Sequence, residues 1–448
     1  MSSLRDFSKK KKPEDYYVNL IQELERINGR LHAFNEISHD IDRGFPISVK
    51  DNICVDGMEA TASSRMLKGY KPPFDATVVQ KLKDAGFSVL GKTNMDEFGF
   101  GSFGINCISP ARNPFDEERV AGGSSSGAAV AASIMKYHLA IAESTGGSIS
   151  APACFCGVVG FTPTYGVISR YGLIDYANSL DKIGFIARSS EDISDVFKLS
   201  VGKDGFDSTC ADFKPLKKEK DRLVIINQLY ERLDKGIKAS FDRSIRRLSA
   251  KGFKIGYEDV NEIGYAVPAY YIISMAEAST NLAKYTGFKY GEQLTDFSMD
   301  YNSFFSASRN VFGEEAKRKI VLGSFIRSAS VRSMYYEKAL KVRRLIINRL
   351  KEILDGSFII SPSMPVLAPR IEEARAFTPV QNYSMDVLTI PPNLCGFPSI
   401  SLPSDYVGGL PTGMQIIGDH MEDLSILSFG KEWEKDFIYR FKYNIGEI

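Results

Sequence analysis

The sequence predicts an α/β fold: a central mixed β-sheet covered by helices on both faces. Three observations carry this. Short apolar runs alternate with amphipathic ones through the first part of the chain, a long helical and aromatic-rich stretch follows, and strand-like runs return near the C-terminus. At 448 residues the chain is long enough to bury an extensive core.

From Tyr16 to Ile37 apolar residues recur at helical spacing, as in Tyr17, Leu20, Ile21, Leu24, Ile27 and Leu31, so an amphipathic helix opens the fold. Pro46-Ile47-Ser48-Val49 reads as a strand, Ala76 to Ala85 as a helix and Ser88-Val89-Leu90 as a strand. Gly127 to Met135 reads as a helix of small residues, able to pack closely on its neighbours. After about Gly202 the composition shifts. Phe213 to Arg222 is rich in lysine and acid and reads as a link, and Leu223 to Ile226 as a strand. Pro268 to Ile353 is helical and rich in tyrosine and phenylalanine, which by default belong to core or interface. Strands return at Phe358–Pro362, Ser399–Pro403 and Gly413–Ile417.

A sheet begun early and completed by the last third predicts one discontinuous domain over residues 1–448. Within it, residues 1–15, with Lys9 to Lys12, read as a frayed basic tail, and 203–355 as a largely helical region facing substrate or partners.

Composition excludes several classes of function. With 56 basic and 55 acidic residues there is no global charge for wrapping nucleic acid or lying on a membrane. No stretch approaches the roughly 20 apolar residues of a membrane span, and the polar start has no apolar core of a signal peptide. Six scattered cysteines lack the pairing of a disulfide framework, which points to a reducing cytoplasm. Cys154-Phe155-Cys156 stands without a second ligand pair, so it reads as core and no metal site is expected.

Chemistry concentrates between Ala121 and Pro152. Two glycine turns there carry serines, Gly122-Gly123-Ser124-Ser125-Ser126-Gly127 and Thr145-Gly146-Gly147-Ser148. A serine hydroxyl attacks a carbonyl only when a base takes its proton and donors receive the developing oxyanion. The second turn meets the latter need, because glycines let backbone N–H groups converge and a substrate approach. Ser148, directly after it, is therefore the expected nucleophile. None of the four histidines lies in these motifs, so the base is Lys50 of Val49-Lys50-Asp51-Asn52 or a residue not evident from the sequence. Burial disfavours an ammonium, so a lysine held between strands can accept a proton near neutrality, with Ser124 as relay. On residue types alone, Lys50-Asp51 reads equally as an ion pair at a strand end. A phosphate site at the first turn is disfavoured, since the spacing and the Lys-Ser/Thr ending of a P-loop are absent.

Taken together, Val49 to Ile53, Gly91 to Phe98, the GGSS-type turn, Thr145 to Gly160 and Thr162 to Gly166 resemble the amidase signature family. Ser169 to Leu173, Ser179 to Asp181, Ala269 to Ile273, Glu315 to Ile320 and Tyr383 to Pro398 resemble in particular its tRNA-dependent amidotransferase branch, in the glutaminase component of those enzymes. The resemblance runs from about residue 20 to 435. It implies the amidase-signature fold and a Ser-Ser-Lys site with Ser148 as nucleophile, Ser124 as bridge and Lys50 as base. It places an oxyanion hole at Thr145, Gly146 and Gly147. Glutamine binding would fall to Tyr270 or Tyr271, to Asp386 for the α-ammonium, and to an Arg or Lys of Lys317-Arg318-Lys319, with Arg318 the assignment, for the α-carboxylate. It further implies B and C subunits as partners, mischarged Glu-tRNA or Asp-tRNA met mainly through them, and no cofactor in this chain, with ATP and Mg used by a partner. Five positions depart from the family pattern: Ser126 for a glycine, Ser144 for an aspartate, Ser150 and Ala151 in Ile149-Ser150-Ala151 for Ile-Arg-Gln, and Thr162 for a lysine. The triad is untouched. Serine at both 144 and 150 looks like the loss of a paired ionic support, bearing on rate and regulation.

Overall fold

The computed structural model describes residues 3–41, 43–216, 218–291, 294 and 298–447. Parts of the expected tail, link and helical region, among them Met1, Ser2 and Lys217, lie outside the described residues.

The chain opens with helix α1 (Ser3–Lys9) and α2 (Tyr16–Leu31), whose Leu20, Leu24, Ile27 and Leu31 are buried along one face. Residues 3–9 are thus not frayed, as the basic composition suggested. Phe7 is buried against Tyr16, Phe45 and Tyr137, and Asp192 accepts hydrogen bonds from the Ser3 hydroxyl and amide. The second helix also stops short of Ile37. His32 turns left-handed at φ 52°, and the Asn28 side chain clasps the amide and carbonyl of Phe34, so Phe34–Ile37 leaves as strand β1.

The remaining strands are β2 (Phe45–Lys50), β3 (Phe87–Thr93), β4 (Arg112–Asn113), β5 (Asp116–Val120), β6 (Leu139–Ser144), β7 (Val159–Thr162), β8 (Lys182–Ala187), β9 (Arg222–Ile226), β10 (Lys254–Glu258), β11 (Phe358–Pro362), β12 (Ser399–Val407) and β13 (Leu410–Ile417). Among the described residues, eleven of the thirteen strands form one sheet in the order β1-β3-β2-β6-β8-β7-β12-β13-β11-β9-β10, while β4 and β5 pair separately. The sheet is mixed: β2 runs parallel to β3 and β6, whereas β8 is antiparallel to β6 and β7.

Both faces are covered, as alternation along the strands shows. In β9, Leu223 and Ile225 enter one apolar cluster while Val224 and Ile226 enter another. Ile359 and Ile360 of β11 divide in the same way. The small-residue helix α4 (Ser126–Ile134), which follows α3 (Thr77–Asp84), is buried throughout and packs on β2, β3, β6 and β8. Its neighbour α5 (Ser150–Phe155) packs on β7, β12 and β13. Alanines and serines bring α4 close to the sheet, and the loop at its N-terminal end lies against the C-terminal ends of β2 and β6. No helix among the described residues is long and apolar enough to cross a membrane.

Candidate active site

Lys50 ends β2, a strand flanked on both sides by parallel neighbours, and Glu143 stands near the end of the adjacent β6. The C-terminal ends of parallel strands are where α/β sheets leave room for a site. The two serine turns meet there. Ser125 N–H donates to Ser148 O at 3.1 Å, Ser125 Oγ donates to Glu143 O at 3.0 Å, and Asp96 N–H donates to Ser124 O at 3.2 Å. The Gly123–Ser124 peptide is cis. Asp96 is itself buried, accepts the amides of Gly104 and Asn106, and has its pKa pushed up to about 6 by burial.

Lys50 Nζ donates to Ser124 Oγ at 2.7 Å, to Glu143 O at 3.0 Å and to Glu143 Oε2 at 2.9 Å, with all three residues buried. The lysine is therefore not the lone buried cation that the sequence suggests. It is ion-paired with a carboxylate absent from the predicted site, although an acid in the otherwise small and apolar strand Leu139–Ser144 is a visible signal. Ser148 is 7% exposed and faces a cavity of about 260 Å³, whereas Ser124 and Lys50 lie sealed behind it. No hydrogen bond joins the Ser124 and Ser148 hydroxyls, so the structure brings Lys50 to Ser124 and leaves the Ser124-to-Ser148 step open.

The glycines of the second turn are required by contact. A Cβ on Gly146 would fall 2.5 Å from the Tyr270 hydroxyl, and one on Gly147 would fall 2.2 Å from Thr389 Oγ1. Among the described residues, the amides of Gly146, Gly147 and Ser148 donate to no other protein group, which leaves donors for an oxyanion beside the Ser148 hydroxyl. Thr145 faces inward instead, its hydroxyl 2.7 Å from Glu143 Oε1 and 2.8 Å from Asp181 Oδ1.

The same cavity is lined by Asp386, whose Oδ2 accepts from Ser102 Oγ and Tyr271 OH, each at 2.7 Å. Burial raises its pKa, and those two hydrogen bonds oppose the shift. Tyr270 lines the wall beside Gly146. Arg318 reaches the wall half-exposed and bonded to Glu315 of its own helix, Glu314–Arg327. Lys319 is the buried cation of that motif, 3.2 Å from Glu315 and enclosed by the rings of Phe100, Tyr176, Tyr271 and Tyr383. The departing positions Ser150 and Thr162 carry buried hydroxyls with no hydrogen-bond partner among the described residues, and Ser144 Oγ reaches only Asn393 Oδ1 at 3.4 Å.

The chain matches the Amidase family over residues 36–427. It is 39% identical to the A component of the glutamyl-tRNA(Gln) amidotransferase of Sulfolobus acidocaldarius, over 94% of each chain. It is 40% identical to the protein of the same name from Archaeoglobus fulgidus, over 96% of this chain and 97% of that one. Among solved structures, the corresponding glutamyl-tRNA(Gln) amidotransferase component of Thermotoga maritima superposes with a TM-score of 0.82 at 34% identity, covering 97% of this chain and 94% of the other.

Proposed function

The chain belongs to the amidase family, and we propose that within it the protein is the glutamine-hydrolysing component of a tRNA-dependent amidotransferase. One observation carries the glutamine assignment: the cavity that Ser148 faces is also lined by the buried carboxylate of Asp386. A small amide that also bears an ammonium fits such a pocket.

In this reading Ser148 Oγ attacks the side-chain amide carbon of glutamine, passing its proton to Ser124 as Ser124 passes its own to Lys50. Closure of the Ser124–Ser148 hydrogen bond accompanies substrate binding, since catalytic hydrogen bonds tighten in the substrate complex. The oxyanion is received by the free amides of Gly146, Gly147 and Ser148 in the turn that begins at Thr145. The C–N bond then breaks, the proton returns to the leaving ammonia, and water cleaves the acyl-enzyme ester to release glutamate. Asp386 holds the α-ammonium beside Tyr270, and Arg318 holds the α-carboxylate. Ammonia passes to B and C partner subunits, where ATP and Mg serve amidation of mischarged Glu-tRNA or Asp-tRNA.

The test compares complexes carrying wild type and Ser148→Ala. The variant complex is expected to fail with glutamine and to amidate mischarged tRNA when ammonium is supplied, because free ammonia bypasses the acyl-enzyme. Amidation from glutamine by the variant would defeat the assignment. Amidation from neither donor by the wild-type complex would point to a free-standing amidase, and dependence of the wild type on ammonium alone would point to an unused site.

A further inference from the structure

Thr145 has one hydroxyl proton and two carboxyl groups within hydrogen-bonding distance, Glu143 at 2.7 Å and Asp181 at 2.8 Å. It can donate to only one of them. The other must donate to the threonine oxygen, so one of these two buried carboxyls carries a proton. Their remaining oxygens say which. Glu143 Oε2 faces the Lys50 ammonium at 2.9 Å and the Asn52 amide at 3.3 Å. Asp181 Oδ2 accepts only the backbone amides of Tyr176 and Ala177, each at 2.9 Å. The cation selects Glu143 as the ionised member, which leaves the proton on Asp181 Oδ1. Burial and the nearby Glu143 charge both hold the Asp181 pKa well above the ordinary carboxylate range, in agreement with this placement.

We propose that Glu143 is a positioning residue that sets the pH at which Lys50 becomes able to act as a base, with Asp181 as its neutral support through Thr145. The inference rests on the Ser-Ser-Lys reading above. A base must be unprotonated, and a carboxylate 2.9 Å from the lysine favours the ammonium. Glu143 thus holds Lys50 against Ser124 in a charged resting form, and the site opens as pH rises. The other charged groups around Lys50 do not replace this partner. Asp96, on the loop after β3, is bonded to backbone amides, and Asp51, next to Lys50 itself, is engaged by Thr61, Ser63 and Asn35 and lies 3.8 Å from Lys92 of β3.

The experiment measures kcat/KM for glutamine hydrolysis against pH in the full chain within its complex. Glu143→Gln keeps the side-chain size and removes the charge. Its acid limb is expected to move down by about one pH unit or more, because losing an adjacent opposite charge disfavours the ammonium by that much. Asp181→Asn presents an amide N–H where the protonated acid presented O–H, so its acid limb is expected to stay at the wild-type position. An unmoved limb in Glu143→Gln, or a limb that moves in Asp181→Asn instead, overturns the assignment. If Glu143→Gln does not give a wild-type circular dichroism spectrum and melt, Glu143→Asp carries the test: its longer ion pair should shift the limb down by a smaller amount, and no shift overturns the proposal. Ser148→Ala run in parallel separates the two levels. Activity within a few-fold of wild type would overturn the underlying catalytic reading, whereas Ser148-dependent activity with an unmoved limb overturns the Glu143 role alone.

Discussion

In the proposed reading, single side chains divide the site into a part that reacts and a part that recognises, and Asp386 tests the second. It lies in the wall of the cavity, tied on one oxygen by Ser102 and Tyr271. Asp386→Asn is expected to raise KM for glutamine at least tenfold with a smaller change in kcat, since in the proposed reading Asp386 binds the α-ammonium and takes no part in the acyl transfer. Steady-state kinetics with glutamine and with a simple amide lacking the ammonium check this. Equal losses on both substrates would point to structural damage. That Ser124 and Ser148 lie on glycine turns and Lys50 at a strand end was legible in the sequence, because those signals are local. What was not legible is which partners Glu143, Asp181 and Lys319 meet, because those partners lie 93, 36 and more residues away and only the fold brings them together.

At the scale of elements, strand β7 carries a defect that a substitution can relieve. The Thr162 hydroxyl is fully buried and has no partner among the described residues, so it loses water without gaining a hydrogen bond. Thr162→Val keeps the shape and removes the polar atom, so it is expected to raise stability by about 1 kcal/mol. Denaturant midpoints measured at equal slope check this. A loss of stability would mean that a buried water satisfies the hydroxyl. Element positions were mostly legible, since apolar periodicity marks β2, β9, β11 and α4 within a residue, while β3 runs three residues past the expected end at Leu90. The boundary of α2 was not. Phe34 and Ile37 continue its helical spacing, and what ends the helix is the His32 turn with the Asn28 clasp, a backbone event without an apolar signature.

The whole molecule is organised by one sheet whose strand order departs from chain order. Sequence periodicity reports which segments are strands and carries no record of which strands lie side by side, so the place of β12 against β7 was not legible. That pairing decides whether the chain is one unit. Residues 1–210 contain β1-β3-β2-β6-β8-β7, yet their β7 edge is covered by β12 through Phe161↔Ile400 and Thr162↔Ser399. The C-terminal segment also straps the first part. Ile445 exchanges backbone hydrogen bonds with Ile134 and Lys136, Glu434 accepts from Ser190, and Asp423 accepts from Thr164. A fragment ending at residue 210 would expose an apolar edge and leave those groups unpaired, both costly in water. The intact chain is therefore expected to melt in one cooperative transition, and the 1–210 fragment to show none and to aggregate. Co-expression with residues 211–448 should restore a soluble complex. Calorimetry of the intact chain and circular dichroism melts of the fragment measure this, and a cooperative melt by residues 1–210 alone would show two independent domains where the sheet topology argues for one.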